Sequence, residues 1–277
     1  MSAIHTPSHR PLIGLLPAAG RGTRLAPYRA HKELFPLLLA SQDTPGGVAT
    51  PACHFALRMM VRAGVERCVT VISEDKQEIV RVLRDGSDLG LNLGYLVQNE
   101  PRGLTNVVRG AARWLEGGDV AFAMPDTVVF PEDALARAAA ELRARDADVV
   151  LAVLPTDEPE RLAPVVFDAD GVVARVYDKP KDPPVRNTWG AMVWSSRFTA
   201  FCADWDRARD AVAGEPGILG HAIEAARVQG LDVRAVDLTR EGAFCDLGTV
   251  AGVAKTLEVL AARGLLFPGG SDGAGSE

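Results

Sequence analysis

Leu12-Ile13-Gly14-Leu15-Leu16-Pro17-Ala18-Ala19-Gly20-Arg21-Gly22-Thr23-Arg24-Leu25-Ala26-Pro27, with a lysine following at Lys32, is the stretch on which the reading of this 277-residue chain turns. A short apolar run that gives way to small residues and glycines predicts a buried strand leading into a loop. Only residues without bulk let backbone N–H groups close on an anion. Such a loop is a candidate phosphate cradle. The Walker pattern needs Gly-Lys-Ser/Thr, and the dinucleotide fingerprint needs a third glycine where this chain has Leu25, so both fail. What remains is Gly-x-Gly-Thr-Arg with a lysine eight residues beyond Arg24. Two fixed positive charges beside a backbone nest suit a polyphosphate better than a single phosphate. The plainer alternative is an ordinary strand-to-helix turn.

The same residues resemble the signature of the sugar-phosphate nucleotidyltransferases (nucleoside-diphosphate-sugar pyrophosphorylases), Gly-x-Gly-Thr-Arg, a loop, and then Pro-Lys. Pro17-Ala18-Ala19-Gly20 with Lys32-Glu33 is most similar to the UTP–glucose-1-phosphate uridylyltransferase branch, alongside the glucose-1-phosphate thymidylyltransferases. His31 stands where that family has proline. The resemblance implies that Ala18, Ala19, Gly20, Gly22, Thr23 and Arg24 bind the nucleotide, and that Arg24 and Lys32 serve catalysis.

Length and composition agree with a globular enzyme-sized chain: 24% charged and 47% hydrophobic residues can build a substantial core. A net charge of −6, with no basic block, argues against a nucleic-acid coat while leaving room for a local basic pocket. Cys53, Cys68, Cys202 and Cys245 show no paired metal spacing, and no secretory or membrane-spanning segment is visible. A reduced, cytoplasmic protein with no membrane partner is the expectation.

Along the chain, residues 1–10 read as a loose tail and 265–277 as a disordered one. Between Pro36 and Pro51 the Pro-Gly-Gly centre forbids a helix, and an inserted loop over 37–50 is expected. From Pro51 to Leu154 strands alternate with helices, which predicts an α/β fold with a doubly wound, mostly parallel, Rossmann-like sheet and ligands at the carboxyl ends of its strands. Gly20, Gln98 and Asp126 fall at such ends. After Pro155 comes a hairpin around Asp170-Gly171, one more strand from Trp189 to Trp194, and C-terminal helices. A nucleotide-binding half over 11–155 and an acceptor-binding half over 156–264 are expected.

Gln98-Asn99-Glu100-Pro101-Arg102-Gly103-Leu104 lies between a strand and a helix, where Gln98 offers an amide edge and Gly103 leaves room for a flat ring. It resembles the family's nucleobase segment, implying Gln98, Gly103 and Leu104 at the base. Asp126 follows the strand Val120-Ala121-Phe122-Ala123-Met124 at the family's metal position, and Phe244-Cys245-Asp246-Leu247-Gly248-Thr249 resembles its Trp-x-Asp-x-Gly-Thr. Asp126 and Asp246 are thereby implied as Mg²⁺ ligands; the plainer readings are Asp126 as the N-cap of the next helix and Thr249 as the cap of the last. Asp178-Lys179-Pro180 resembles the Glu-Lys-Pro of the acceptor half, so Lys179 would meet the acceptor phosphate and Asp178, Trp189 and Gly190 would lie at the acceptor. Ala163-Pro164 replaces the usual Tyr-Gly, and Trp189 is bulky, which loosens the tie to glucose 1-phosphate.

The expected function is transfer of a nucleotidyl group: a pyrimidine NTP, UTP or dTTP favoured, condenses with a sugar 1-phosphate to an NDP-sugar and pyrophosphate, with Mg²⁺. A non-sugar phosphate or phosphonate acceptor with CTP, and a catalytically idle nucleotide-sugar-binding regulatory protein, are the alternatives. Leu25 in place of glycine disfavours a nicotinamide dehydrogenase. Homo-oligomers are an expectation of the family resemblance alone.

Overall fold

The computed structural model describes residues 10–20, 31–44, 47–210 and 217–268. Leu12–Pro17 forms the first strand (β1), buried at every position. A hairpin of Pro36–Leu39 (β2) and Val48–Pro51 (β3) follows, then a helix over Cys53–Arg62 (α1), a strand Arg67–Ile72 (β4), a helix Gln77–Leu83 (α2) and a strand Asn92–Val97 (β5). Next come a helix Leu104–Ala111 (α3), strands Asp119–Ala123 (β6) and Thr127–Phe130 (β7), a helix Ala134–Arg145 (α4) and a strand Val149–Pro155 (β8). The remainder is a hairpin of Val165–Phe167 (β9) and Val173–Val176 (β10), a strand Asn187–Trp194 (β11), and helices Ser196–Asp210 (α5) and Leu219–Val228 (α6). Strands Val233–Asp237 (β12) and Ala243–Asp246 (β13) and a helix Val250–Ala262 (α7) close the described chain.

Seven strands make the central sheet in the order β12-β8-β11-β6-β1-β4-β5. All its pairings are parallel except the two made by β11. Its central strands read as continuous apolar runs because both faces are covered. Leu12 and Leu16 of β1 pack with α1, α2 and α4 on one face. Ile13 and Leu15 pack with α3, α5 and α6 on the other. The expected doubly wound architecture is therefore present. The chain winds outward from β1 through β4 and β5, then returns to place β6 on the opposite side of β1. That reversal leaves a crevice at the carboxyl ends of the strands, where open α/β sheets take ligands. Gly20, Gln98 and Asp126 follow β1, β5 and β6 at this edge.

The segment expected to be an inserted loop is instead the β2–β3 hairpin, in register from Pro36 opposite Pro51 to Leu39 opposite Val48. Alternation in β2 turns Leu37 and Leu39 inward while Leu38 faces out. Residues 265–267, expected to begin a loose tail, lie along β2: the Ala40 N–H donates to the Leu265 carbonyl (2.9 Å) and the Phe267 N–H to that of Leu38 (2.9 Å). Leu37, Leu39, Phe55, Phe130, Leu247 and Leu260 form a third apolar cluster beneath. Turn residues at the tip of the hairpin masked its period-two pattern in the sequence. Thr249 caps α7, its side chain accepting from the Gly252 N–H (3.0 Å). Because Leu37 is completely buried, Leu37→Ala should cost about 2–5 kcal/mol of unfolding free energy in a urea titration. A change under about 0.5 kcal/mol would be that of a surface loop.

Candidate active site

Two short strands outside the main sheet bring the acidic residues together. β7 pairs antiparallel with β13, so that Asp246 lies opposite Thr127, and the Leu247 N–H donates to the Asp126 carbonyl (2.9 Å). Asp126, immediately before β7, and Asp246, last in β13, therefore sit side by side although they come from distant parts of the chain. Asp126 is buried, and Asp246 accepts from the Gly248 N–H through Oδ1 (2.8 Å). Lys32 opens a short 3₁₀ turn, Lys32–Leu34, and ion-pairs through Nζ with Asp126 Oδ2. Burial pulls the Lys32 ammonium downward, but Asp126, with Glu33 and Asp246 beyond it, outweighs that and holds its pKa above the ordinary lysine value. Behind it, Glu33 accepts from Lys76 Nζ (2.6 Å) in a pair hidden from solvent.

These groups stand at the junction of two openings. A cavity of about 540 Å³ is lined by Lys32, Asp126 and Asp246 and runs out to Asp178, Lys179, Trp189 and Gly190. A narrower chamber of about 160 Å³ holds Ala19, Gly20 and Gln98. Both are lined by Lys32, Gly103, Leu104, Met124 and Asp126, so they form one crevice. Gly22, Thr23 and Arg24 lie outside the described residues. Ala18 does not reach the crevice: its side chain is in the core and its N–H is spent on the Val71 carbonyl (2.7 Å).

Gly103 lines both openings and also serves the packing of the fold. At φ +96° it takes a backbone conformation that favours glycine, and an added Cβ would strike the backbone of Gly217, which crosses directly against it. Its small size admits that neighbouring segment. Lys179 is held at φ +44°, with its N–H donated to the Leu162 carbonyl (2.8 Å), a conformation that disfavours a side chain and concentrates at functional sites. Trp189 packs its ring toward Phe122 (centroids 6.4 Å apart) and fills one wall of the larger cavity; its Nε1 is buried with no partner among the described residues. Pro164 uses its carbonyl to accept from the Tyr177 N–H (2.9 Å).

Sequence reasoning missed Arg161, Met124, Ile218 and Phe244, which also line the cavity. Arg161 belongs to a short turn with no motif around it, and the others are apolar residues that only the tertiary structure brings to the wall. The four cysteines stay out of the site. All are buried and unpaired, and burial pushes the Cys53 and Cys68 thiols up to about 12. Among the described residues no group of three or more His, Cys, Asp or Glu side chains could hold a metal ion, and no helix is long and apolar enough to cross a membrane.

Residues 13–257 match the family model for nucleotidyl transferases. The chain belongs to the nucleotidyl transferase family. A glucose-1-phosphate thymidylyltransferase of Mycolicibacterium smegmatis is 30% identical over 173 residues, covering 61% of this chain and 56% of that protein. The chain spans between 45% and 63% of the length of the first curated relatives it matches. Among solved structures, this nucleotidyl transferase superposes on a Bacillus anthracis protein described as a glucose-1-phosphate thymidylyltransferase, in complex with sucrose. The TM-score is 0.77 at 16% identity, over 92% of this chain and 97% of that one. It also superposes on a UTP-bound UGPase from Acinetobacter baumannii at TM-score 0.69 and 18% identity, over 91% and 94% of the two chains. At such identities the structural likeness speaks for the fold.

The Lys32–Asp126 pair has a defined pH window. A lysine whose pKa rises on folding contributes stability that is complete below its unfolded value, about 10.4, and is lost as pH climbs through the higher folded value. An NMR titration of the lysine side-chain nitrogens should therefore show Lys32 protonated beyond pH 10. A midpoint near neutrality would contradict the Lys32–Asp126 pairing.

Proposed function

We propose that this nucleotidyl transferase condenses a pyrimidine nucleoside triphosphate, UTP or dTTP, with a sugar 1-phosphate to give a nucleoside-diphosphate sugar and pyrophosphate. The observation that carries the reading is the convergence of Lys32, Asp126 and Asp246 on one crevice. Gly20 and Gln98 lie toward one end of it and Asp178 and Lys179 line the other. The names of the relatives, glucose-1-phosphate thymidylyltransferase and a UTP-bound UGPase, agree with that class of substrates.

In this reading the 11–155 half supplies the nucleotide site and the 156–264 half the acceptor site. An oxygen of the acceptor phosphate attacks the α-phosphorus of the triphosphate, the bond to the β-phosphate breaks, and pyrophosphate leaves with the electron pair. The protein has little covalent chemistry to do, so its part is alignment and charge compensation. The backbone around Ala19 and Gly20 holds the triphosphate. Lys32 compensates charge on the departing pyrophosphate, with Arg24 assigned the same task on the motif alone. Lys179, exposed at the cavity rim, meets the attacking phosphate, and Asp178 accepts from hydroxyls of the sugar.

Asp126 and Asp246 suit Mg²⁺, which takes one or two protein carboxylates and completes its shell with phosphate oxygens and water. Bound there, the ion would draw phosphate oxygens together and offset their charge. A second reading keeps the chemistry and changes the acceptor. Trp189 occupies part of the acceptor wall, and Pro164, next to the lining residue Ala163, has no N–H to offer, which favours a non-sugar phosphate or phosphonate.

Pyrophosphate release should be measured with UTP, dTTP and CTP against a panel of sugar 1-phosphates, with Mg²⁺ present. Asp126→Asn, Asp246→Asn and Lys32→Ala should each lower kcat by about 100-fold or more, with circular dichroism unchanged. Full activity of Asp126→Asn overturns the carboxylate assignment. Silence with every pair, together with tight nucleotide binding, would mark a nucleotide-sugar-binding regulatory protein.

A further inference from the structure

Gln98 is not free to choose which end of its amide it offers. Its Nε2 donates to Asn106 Oδ1 at 2.6 Å. Asn106, buried in the first turn of α3, donates in turn from Nδ2 to Asp206 Oδ2 at 3.4 Å. Asp206 is a buried residue of α5 whose Oδ1 accepts from Thr105 Oγ1 at 2.5 Å and whose Oδ2 lies 3.2 Å from an Arg109 guanidinium nitrogen. Among the described residues, every group bonded to this carboxylate is a donor.

The polarity of the chain follows from that. A carboxylate beside a guanidinium accepts hydrogen bonds and donates none, so it selects the NH₂ end of Asn106. The Asn106 carbonyl is left facing Gln98 and selects the NH₂ end of Gln98. What remains of the Gln98 amide is its carbonyl, and Oε1 is buried with no partner among the described residues. A buried acceptor left unmatched in this way is unfavourable until a donor reaches it. The relay holds Gln98 in the lining of the narrow chamber with an acceptor waiting for a donor.

We propose that Asp206 and Asn106 are positioning residues that lock the Gln98 amide with its carbonyl available to the nucleobase, so that the chamber recognises the ring N3–H of uracil or thymine. Cytosine carries a bare lone pair at N3 and is disfavoured. The inference rests on the pyrimidine-nucleotide reading above and adds to it the origin of the base preference, in a helix that lines neither opening at that residue.

The test is calorimetric binding of UTP, CTP and N3-methyl-UTP to the full chain in Mg²⁺ buffer. The unsubstituted protein should bind UTP about ten-fold or more tighter than either of the others, because a site built around one hydrogen bond penalises a ligand that lacks it. Asp206→Asn lets the relay reverse: Asn106 can then give its NH₂ to the Gln98 carbonyl and leave a donor facing the base. The UTP-to-CTP affinity ratio should fall by about ten-fold. Thr105→Val removes one bond to Asp206 without changing the relay's polarity, and the ratio should stay. Should Asp206→Asn fail to fold, Asn106→Ala breaks the relay at its middle and should bring the ratio toward one. Affinities that fall together with the ratio unmoved, or a native preference for CTP, overturn the proposal while leaving the nucleotide site standing. Absence of binding by any pyrimidine nucleotide overturns the site as well.

Discussion

The pairing of β7 with β13 is the contact on which the site depends. Asp126 ends a segment from the middle of the main sheet, while Asp246 comes from beyond the last strand of that sheet. Nothing local holds them near each other. The antiparallel register that sets Asp246 opposite Thr127, with the Leu247 N–H on the Asp126 carbonyl, does so with backbone hydrogen bonds. The ribbon is anchored in turn by Val128, Phe130, Cys245 and Leu247 in the third apolar cluster, shared with β2 and α7. Apolar burial outside the main sheet thus sets the spacing of the carboxylates at its edge.

Placing two carboxylates together in a partly buried crevice carries an electrostatic penalty, and Lys32 relieves it. Its ammonium pairs with Asp126, and its raised pKa records a net attraction that outweighs burial. Such a pair contributes little to stability once desolvation is counted. It keeps a charged cation and its counterion aligned where the two openings meet. The buried Glu33–Lys76 pair behind it keeps the charges on that side in balance.

Much of the fold was legible because both faces of the sheet are covered. Continuous apolar runs such as Val149–Pro155, separated by amphipathic helices, leave few alternatives to a doubly wound sheet. The hairpin at Pro36–Leu39 and Val48–Pro51 was hidden because its strands are short and its tip is rich in turn residues; its burial comes from α7 and residues 265–267, far along the chain. Gly103 was legible as a special position, and the structure adds a packing reason for it. A glycine signals that something comes close without saying what, and here it is the backbone at Gly217.

By itself the sequence determined which chemical groups are available and, through periodicity, the layered sheet whose strand ends carry Gly20, Gln98 and Asp126. It could do so because strand and helix periods and turn chemistry are local properties. Only the tertiary structure decided that Asp126, Asp246 and Lys32 share one crevice, that Ala18 spends its N–H inside the core, that Arg161 and Phe244 join the wall, and which end of the Gln98 amide is left over. Each of these depends on contacts between segments far apart in the chain, where register, burial and hydrogen-bond polarity are set by packing.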